Sequence, residues 1–199
     1  SNNVSAERGR SSFDTPHRFV GSFAYQLPIG TGKRWLSGVG GAAAKFFNGW
    51  QINSIMSMQS GQPYTPYLPG EFDNSNTGRS IFGFGAGDRP NVVGNPNLSN
   101  PDPQQWFNPA AFALPPFGSF GNAGRNVISG PGLTNVDFSL LKDTQLTEGV
   151  RLQFRAEFFN LLNTPNFMNP NVFFGTPGFA RVLAARDGRE VQFGVKLIF

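Results

Sequence analysis

Two stretches near the C-terminus alternate strictly between large apolar and polar side chains. Leu152, Phe154, Ala156 and Phe158 alternate with Arg151, Gln153, Arg155 and Glu157. Val191, Phe193, Val195, Leu197 and Phe199 alternate with Gln192, Gly194 and Lys196. A period of two puts successive side chains on opposite faces of an extended strand, so each ribbon has one greasy and one wet face. Three further stretches carry the same period less cleanly. Phe19, Gly21, Phe23, Tyr25 and Leu27 lie opposite Arg18, Val20, Ser22, Ala24 and Gln26. Trp50, Ile52, Ser54, Met56 and Met58 lie opposite Gln51, Asn53, Ile55, Ser57 and Gln59. Val136, Phe138 and Leu140 alternate with Asn135, Asp137 and Ser139. The pattern predicts an all-β, antiparallel chain of about five meandering strands.

Such ribbons have two solutions. A soluble sandwich turns the apolar face inward; a membrane barrel turns it outward around a polar lumen. Periodicity alone does not choose. Length favours the membrane: the stretches run about ten residues, enough for a tilted spanning strand and beyond the usual ~5–6 of soluble sheets. The connectors also favour it. Asp143–Gly149 is a short turn, and Pro28–Gly49 is longer, with a small-residue patch at Val39–Phe47 suited to a short helix. Gly61–Leu133 runs more than seventy residues without a clear period, punctuated by Asn95-Pro96, Asn100-Pro101 and Asn108-Pro109. Asn163–Arg189 is the second long connector. Short turns at one end and long loops at the other describe an outer-membrane barrel. With the last strand running toward the periplasm, the first, third and fifth strands run down and the second and fourth run up. Both long connectors, 61–133 and 163–189, then fall outside the cell.

Composition removes several function classes. The 199 residues contain no cysteine, which excludes a disulfide scaffold, a thiol nucleophile and a cysteine-based metal centre. His17 is the single histidine. The net charge of +4 is scattered, with no five-residue window basic throughout, so nucleic acid is not an expected partner. Phenylalanine is overused at 22 residues, which argues against disorder. No apolar run approaches the ~18 residues of a spanning helix. Residues 1–12 are polar and lack the apolar core of a signal peptide; they are expected to be a flexible lead-in.

Motifs for chemistry are thin. Gly38–Ala43 matches a dinucleotide fingerprint in letters, but without the strand–turn–helix context or a suitably placed acid. Gly30-Thr-Gly-Lys33 lacks the upstream glycine of a phosphate loop, and Arg34 stands where Ser or Thr belongs. Phe117-Gly-Ser-Phe-Gly121 fails the spacing of a nucleophile elbow. A hydrolase would have to use His17 with Asp14, which point to opposite faces of an extended chain unless Pro16 turns them together. Glu71 and Asp73 offer at most a weak calcium site, and no cofactor is expected. Tyr64, Tyr67, Phe72, Trp106, Phe107 and Phe112 in the long connector suit either a ligand-contacting platform or packing of the loop on itself. Arg151, Arg155 and Glu157 suit a lumen lining or a cross-strand charge ladder worth under ~1 kcal/mol per pair. A small soluble all-β hydrolase and a soluble sugar- or peptide-binding module are the alternatives to the barrel.

Several blocks carry a family resemblance. Gly149-Val-Arg-Leu-Gln-Phe-Arg-Ala-Glu-Phe-Phe-Asn-Leu-Leu-Asn-Thr-Pro-Asn-Phe167 resembles the penultimate strand of large TonB-dependent outer-membrane receptors. The nearest subgroup has a carboxypeptidase-regulatory-like N-terminal domain and is abundant in soil bacteria such as Acidobacteria. Val191–Phe199 resembles that family's last strand. Asp14–Phe19, Gly49–Asn53, Gln59–Tyr64, Trp106–Phe112 and Gly121–Asn126, with Gly130-Pro-Gly132 behind it, are similar to other blocks near its C-terminus. The resemblance covers residues 13–199 and implies the C-terminal portion of a receptor barrel of about 22 strands. It implies outer-membrane lipid as a partner, and uptake of a siderophore, glycan or peptide. It implies a barrel-assembly signal at Val195, Leu197 and Phe199, read by the assembly machinery. Members begin with a signal peptide, a TonB box and a plug, none of which is recognisable here. Transport is therefore expected of the complete receptor, and contact with the TonB complex only through an N-terminal region outside this sequence.

Overall fold

The structure, a computed structural model, describes residues 4–78 and 87–199. In chain order it has a 3-10 turn at Val4–Glu7, β1 (Arg18–Gln26), α1 (Gly41–Phe47) and β2 (Trp50–Gln59). Short pieces follow: β3 (Pro63–Tyr64), β4 (Asn91–Val92), β5 (Asn97–Asp102), β6 (Gln105–Phe107), a 3-10 turn at Pro109–Ala111, β7 (Phe112–Ala113) and β8 (Ile128–Ser129). The long strands β9 (Leu133–Gln145), β10 (Arg151–Phe159) and β11 (Glu190–Ile198) close the chain. Two compact units result. The strand unit gathers 18–58, 134–165 and 187–199; the loop unit gathers 1–17, 59–133 and 166–186.

The strand unit is one five-stranded sheet in the order β1-β2-β9-β10-β11, so each long strand pairs with the next long strand along the chain. β9, β10 and β11 are antiparallel, with Phe138 opposite Phe158 and Ala156 flanked by Leu140 and Phe193. At the other side, Leu27 N–H donates to the Trp50 carbonyl at 2.9 Å, and Asp143 N–H to that of Gly49 at 2.9 Å. These are the periods read from the sequence, set side by side. Because the register pairs like with like, apolar side chains line one face and polar ones the other.

β9 is longer than the stretch Asn135–Leu140 that the alternation picks out. Its second half puts Leu141 on the polar face and Lys142 on the apolar one, opposite Arg155 and Phe154 respectively. Those two residues break the period while the ladder to β10 continues through Gln145.

Burial falls in an unusual place. Among the described residues nine hydrophobics are buried, and all but Ala156 belong to the loop unit. Phe107, Ala111, Phe112, Ile128 and Ala180 form its core, with Trp106, Val172, Phe174 and Phe179 packed around them. Four rings meet edge to face: Phe179 lies 5.0 Å from Phe107, 5.6 Å from Phe112 and 5.3 Å from Phe174. Each buried ring contributes roughly 1.5–3 kcal/mol. Short ladders β3–β8, β4–β7 and β5–β6 brace this core. Ladders of two or three paired residues are too short to leave a periodic trace, so the sequence shows 61–133 as structureless.

Candidate functional site

The apolar face of the sheet comes first. Leu152, Phe154, Ala156 and Phe158 of β10 meet Leu197, Val195, Phe193 and Val191 of β11 in register. Phe154 stacks on Phe193 at 6.2 Å. Among the described residues no sealed core receives the larger of these side chains: Phe193 is 67% and Val195 70% exposed, and in β1 Phe19, Phe23 and Tyr25 are also about half exposed. A contiguous apolar patch of this kind is not left to water in a soluble monomer.

The opposite face is largely polar and carries side-chain hydrogen bonds. Gln153 Nε2 donates to Asp143 Oδ1 at 3.0 Å, its cross-strand neighbour. Arg155 pairs with Glu157 at 2.8 Å along the same strand. Gln51 donates to Asn53 at 2.7 Å, and Asn53 to Ser139 at 3.4 Å. Hydrocarbon on one face and a hydrogen-bonded polar layer on the other are the two environments of a barrel wall.

The loop unit holds a cavity of about 520 Å³ lined by Tyr64, Tyr67, Arg89, Arg125, Asn126 and Asn169, among others. Asn126 organises it. Its backbone is left-handed at φ 57°, a conformation asparagine tolerates better than most residues. Its N–H donates to Thr65 Oγ1 at 2.9 Å and its Oδ1 accepts from that hydroxyl at 3.0 Å. Its Nδ2 donates to the Arg10 carbonyl at 2.6 Å, which ties the N-terminal segment into the unit. Glu7 adds an ion pair to Arg89 at 2.9 Å. The Tyr64 hydroxyl donates to Asn169 Oδ1. Burial pushes the Tyr64 phenol above the ordinary tyrosine range. Arg125 is exposed and makes no side-chain hydrogen bond or ion pair among the described residues. The Arg125 guanidinium and the Tyr67 phenol, which makes no side-chain hydrogen bond among the described residues either, suit an oxygen-rich or anionic ligand.

The sequence candidates divide on this ground. Tyr64 and Tyr67 line the cavity. Phe107 and Phe112, at 1% and 6% exposure, belong to the core that packs the loop on itself. Trp106 is half-buried; its Nε1 donates to the Ser129 carbonyl at 3.0 Å and its ring meets Phe167 at 5.9 Å. Phe72 is 51% exposed. Val195, Leu197 and Phe199 lie at the exposed end of the chain, Phe199 at 89%.

His17 and Asp14 are not joined: Asp14 takes Arg10 at 2.8 Å instead. Asp73 spends its carboxylate on the backbone N–H groups of Thr77 and Gly78, at 3.1 and 2.7 Å. Among the described residues no cluster of three metal-ligating side chains occurs. Gly40 precedes α1 as its N-cap, and Gly38–Ala43 leads into a helix of seven residues.

Asn126, Asn169 and Lys142 carry structure that sequence reasoning missed. Lone asparagines in a Pro- and Gly-rich stretch read as turn formers, and only the fold shows which partners they reach.

A meandering antiparallel sheet with a largely exposed apolar face and a polar one opposite defines the wall of a membrane β-barrel. Residues 1–192 match the model of the outer membrane beta barrel domain, and the chain belongs to that family. No curated protein and no solved structure matches it. Its place is the outer membrane of a Gram-negative bacterium.

Proposed function

We propose that the chain is the C-terminal part of the barrel of a TonB-dependent receptor that imports a scarce nutrient: a siderophore, a glycan or a peptide. The sheet is the part that meets lipid, since backbone groups in hydrocarbon must pair between strands. Loops 61–133 and 163–189 face the outside. The observation that carries this reading is the cavity with its open Arg125 and two lining tyrosines, in a unit built largely from those connectors. The similarity of blocks from Asp14 to Phe199 to receptor C-termini supports it from the sequence side. Val195, Leu197 and Phe199 are the signal for the barrel-assembly machinery. Contact with the TonB complex belongs to another part of the receptor.

Uptake assays test this. A strain lacking the gene should lose growth on one limiting nutrient, and uptake by the intact strain should stop when the proton gradient is collapsed. Arg125→Ala and Tyr67→Ala should weaken uptake while leaving the amount of barrel in the outer membrane unchanged. Flux indifferent to the proton gradient would point to a passive pore instead.

A further inference from the structure

Lys142 locates the connector between β1 and β2 within the strand unit. Its cross-strand partner is Phe154, so it lies on the apolar face together with Leu140 and Phe138. It is nevertheless only 8% exposed. Its ammonium donates to the Lys45 carbonyl at 2.8 Å, to the Asn48 carbonyl and to Thr144 Oγ1 at 3.0 Å, and stands 5.6 Å from the Trp50 ring. Trp50 Nε1 in turn donates to the Phe46 carbonyl at 2.9 Å. The last turn of α1 is thus bound to the apolar side of the sheet.

What this connector shows outward does not suit water. Trp35, Leu36 and Phe46 are 57%, 47% and 65% exposed, and α1 buries none of its residues. Lys33, Arg34 and Lys45 are exposed too, and none makes a side-chain hydrogen bond or ion pair among the described residues. Residues 28–49 contain no acid at all. The neighbouring turn, 146–150, carries Glu148 and no cation, so the charge is a property of this connector. Rings at headgroup depth with cations beside them are the chemistry of a bilayer interface. The surface is also continuous with the lipid-facing stripe through Lys142 and Trp50.

We propose that residues 28–49 form an interfacial anchor for anionic phospholipid in the periplasmic leaflet. Trp35, Leu36 and Phe46 enter the boundary between headgroups and acyl chains, and Lys33, Arg34 and Lys45 contact lipid phosphates. This rests on the barrel reading and on its strand directions, which put the connector at the periplasmic end.

The test uses the whole receptor, with any cysteine outside residues 1–199 replaced; these residues contain none of their own, so an introduced thiol is unique. Leu36→Cys and Phe46→Cys, each spin-labelled, are compared with Val195→Cys on the sheet and Glu148→Cys in the turn. Collisions with oxygen and with a water-soluble nickel complex report depth. The expected result is oxygen-favoured collision at 36, 46 and 195, and nickel-favoured collision at 148. Reconstitution with phosphatidylglycerol in place of phosphatidylcholine should deepen the labels at 36 and 46. The triple variant K33Q/R34Q/K45Q should weaken the immersed state by up to roughly a hundredfold and abolish that lipid dependence. Labels at 36 and 46 as wet as 148, with 195 in lipid, would overturn the anchor and leave the barrel standing. A wet label at 195 would overturn both. Immersion indifferent to phosphatidylglycerol would overturn the assignment to anionic lipid.

Discussion

A charge on a lipid-facing stripe is tolerable only when its hydrogen bonds are all supplied by protein. Lys142 meets that condition by capping the carbonyls of Lys45 and Asn48. Bonds from a charged donor are worth about 1.5–3 kcal/mol. Lys142→Met keeps the apolar stem and removes the cap. It should lower stability to urea in detergent by about that amount and expose 41–48 to protease; unchanged cleavage there would show that the cap is not what holds α1. Gly49 works beside it: at φ 79° it turns the chain from α1 into β2, and an added Cβ would run into the Asp143 carbonyl. Tyr64 gives a pH signature. Its folded pKa is raised, so its contribution is intact below the ordinary tyrosine value of about 10 and is lost as pH climbs through the folded value. The loop unit should loosen above about pH 10, followed by near-ultraviolet circular dichroism, and Tyr64→Phe should flatten that step.

At the scale of elements, the two-fold period carried most of the information. β2, β10 and β11 fall within a residue of the alternating stretches, β10 and β11 because both of their faces keep their character from end to end. β9 was only half legible, since Leu141 and Lys142 each sit on the face of the other kind. α1 was legible as a small-residue patch, but its place on the apolar side was not, because that depends on a lysine almost a hundred residues away in sequence. The aromatic candidates were unreadable one by one: Phe107 and Phe112 went to the core, Tyr64 and Tyr67 to the cavity. Nothing local distinguishes a ring that packs from a ring that lines a cavity. The two faces of β11 lead to a paired prediction. Val195→Arg puts a charge into hydrocarbon and should destabilise the folded barrel by about 2–4 kcal/mol if near the midplane. Gln192→Arg, on the polar face, should cost far less, measured by urea titration in bilayers or detergent.

At the scale of the whole molecule, five strands form a wall segment and not a closed cylinder; the smallest membrane barrels of this kind use about eight. β1 and β11 therefore present open edges, and open edges pair with whatever strand is offered. Expressed by itself in plain buffer, the chain should associate or form inclusion bodies, and a stable monomer by light scattering would contradict that. The loop unit keeps its own aromatic core, so its fold does not depend on hydrocarbon in the way the sheet does. The most direct measurement is a scan of single cysteines through Glu190–Ile198, labelled in isolated outer membranes with a membrane-impermeant maleimide. Positions 192, 194 and 196 should react, while 191, 193, 195 and 197 should stay protected until detergent is added. Equal labelling of both sets, or protection of the polar set alone, would contradict a wall with lipid on one side and water on the other.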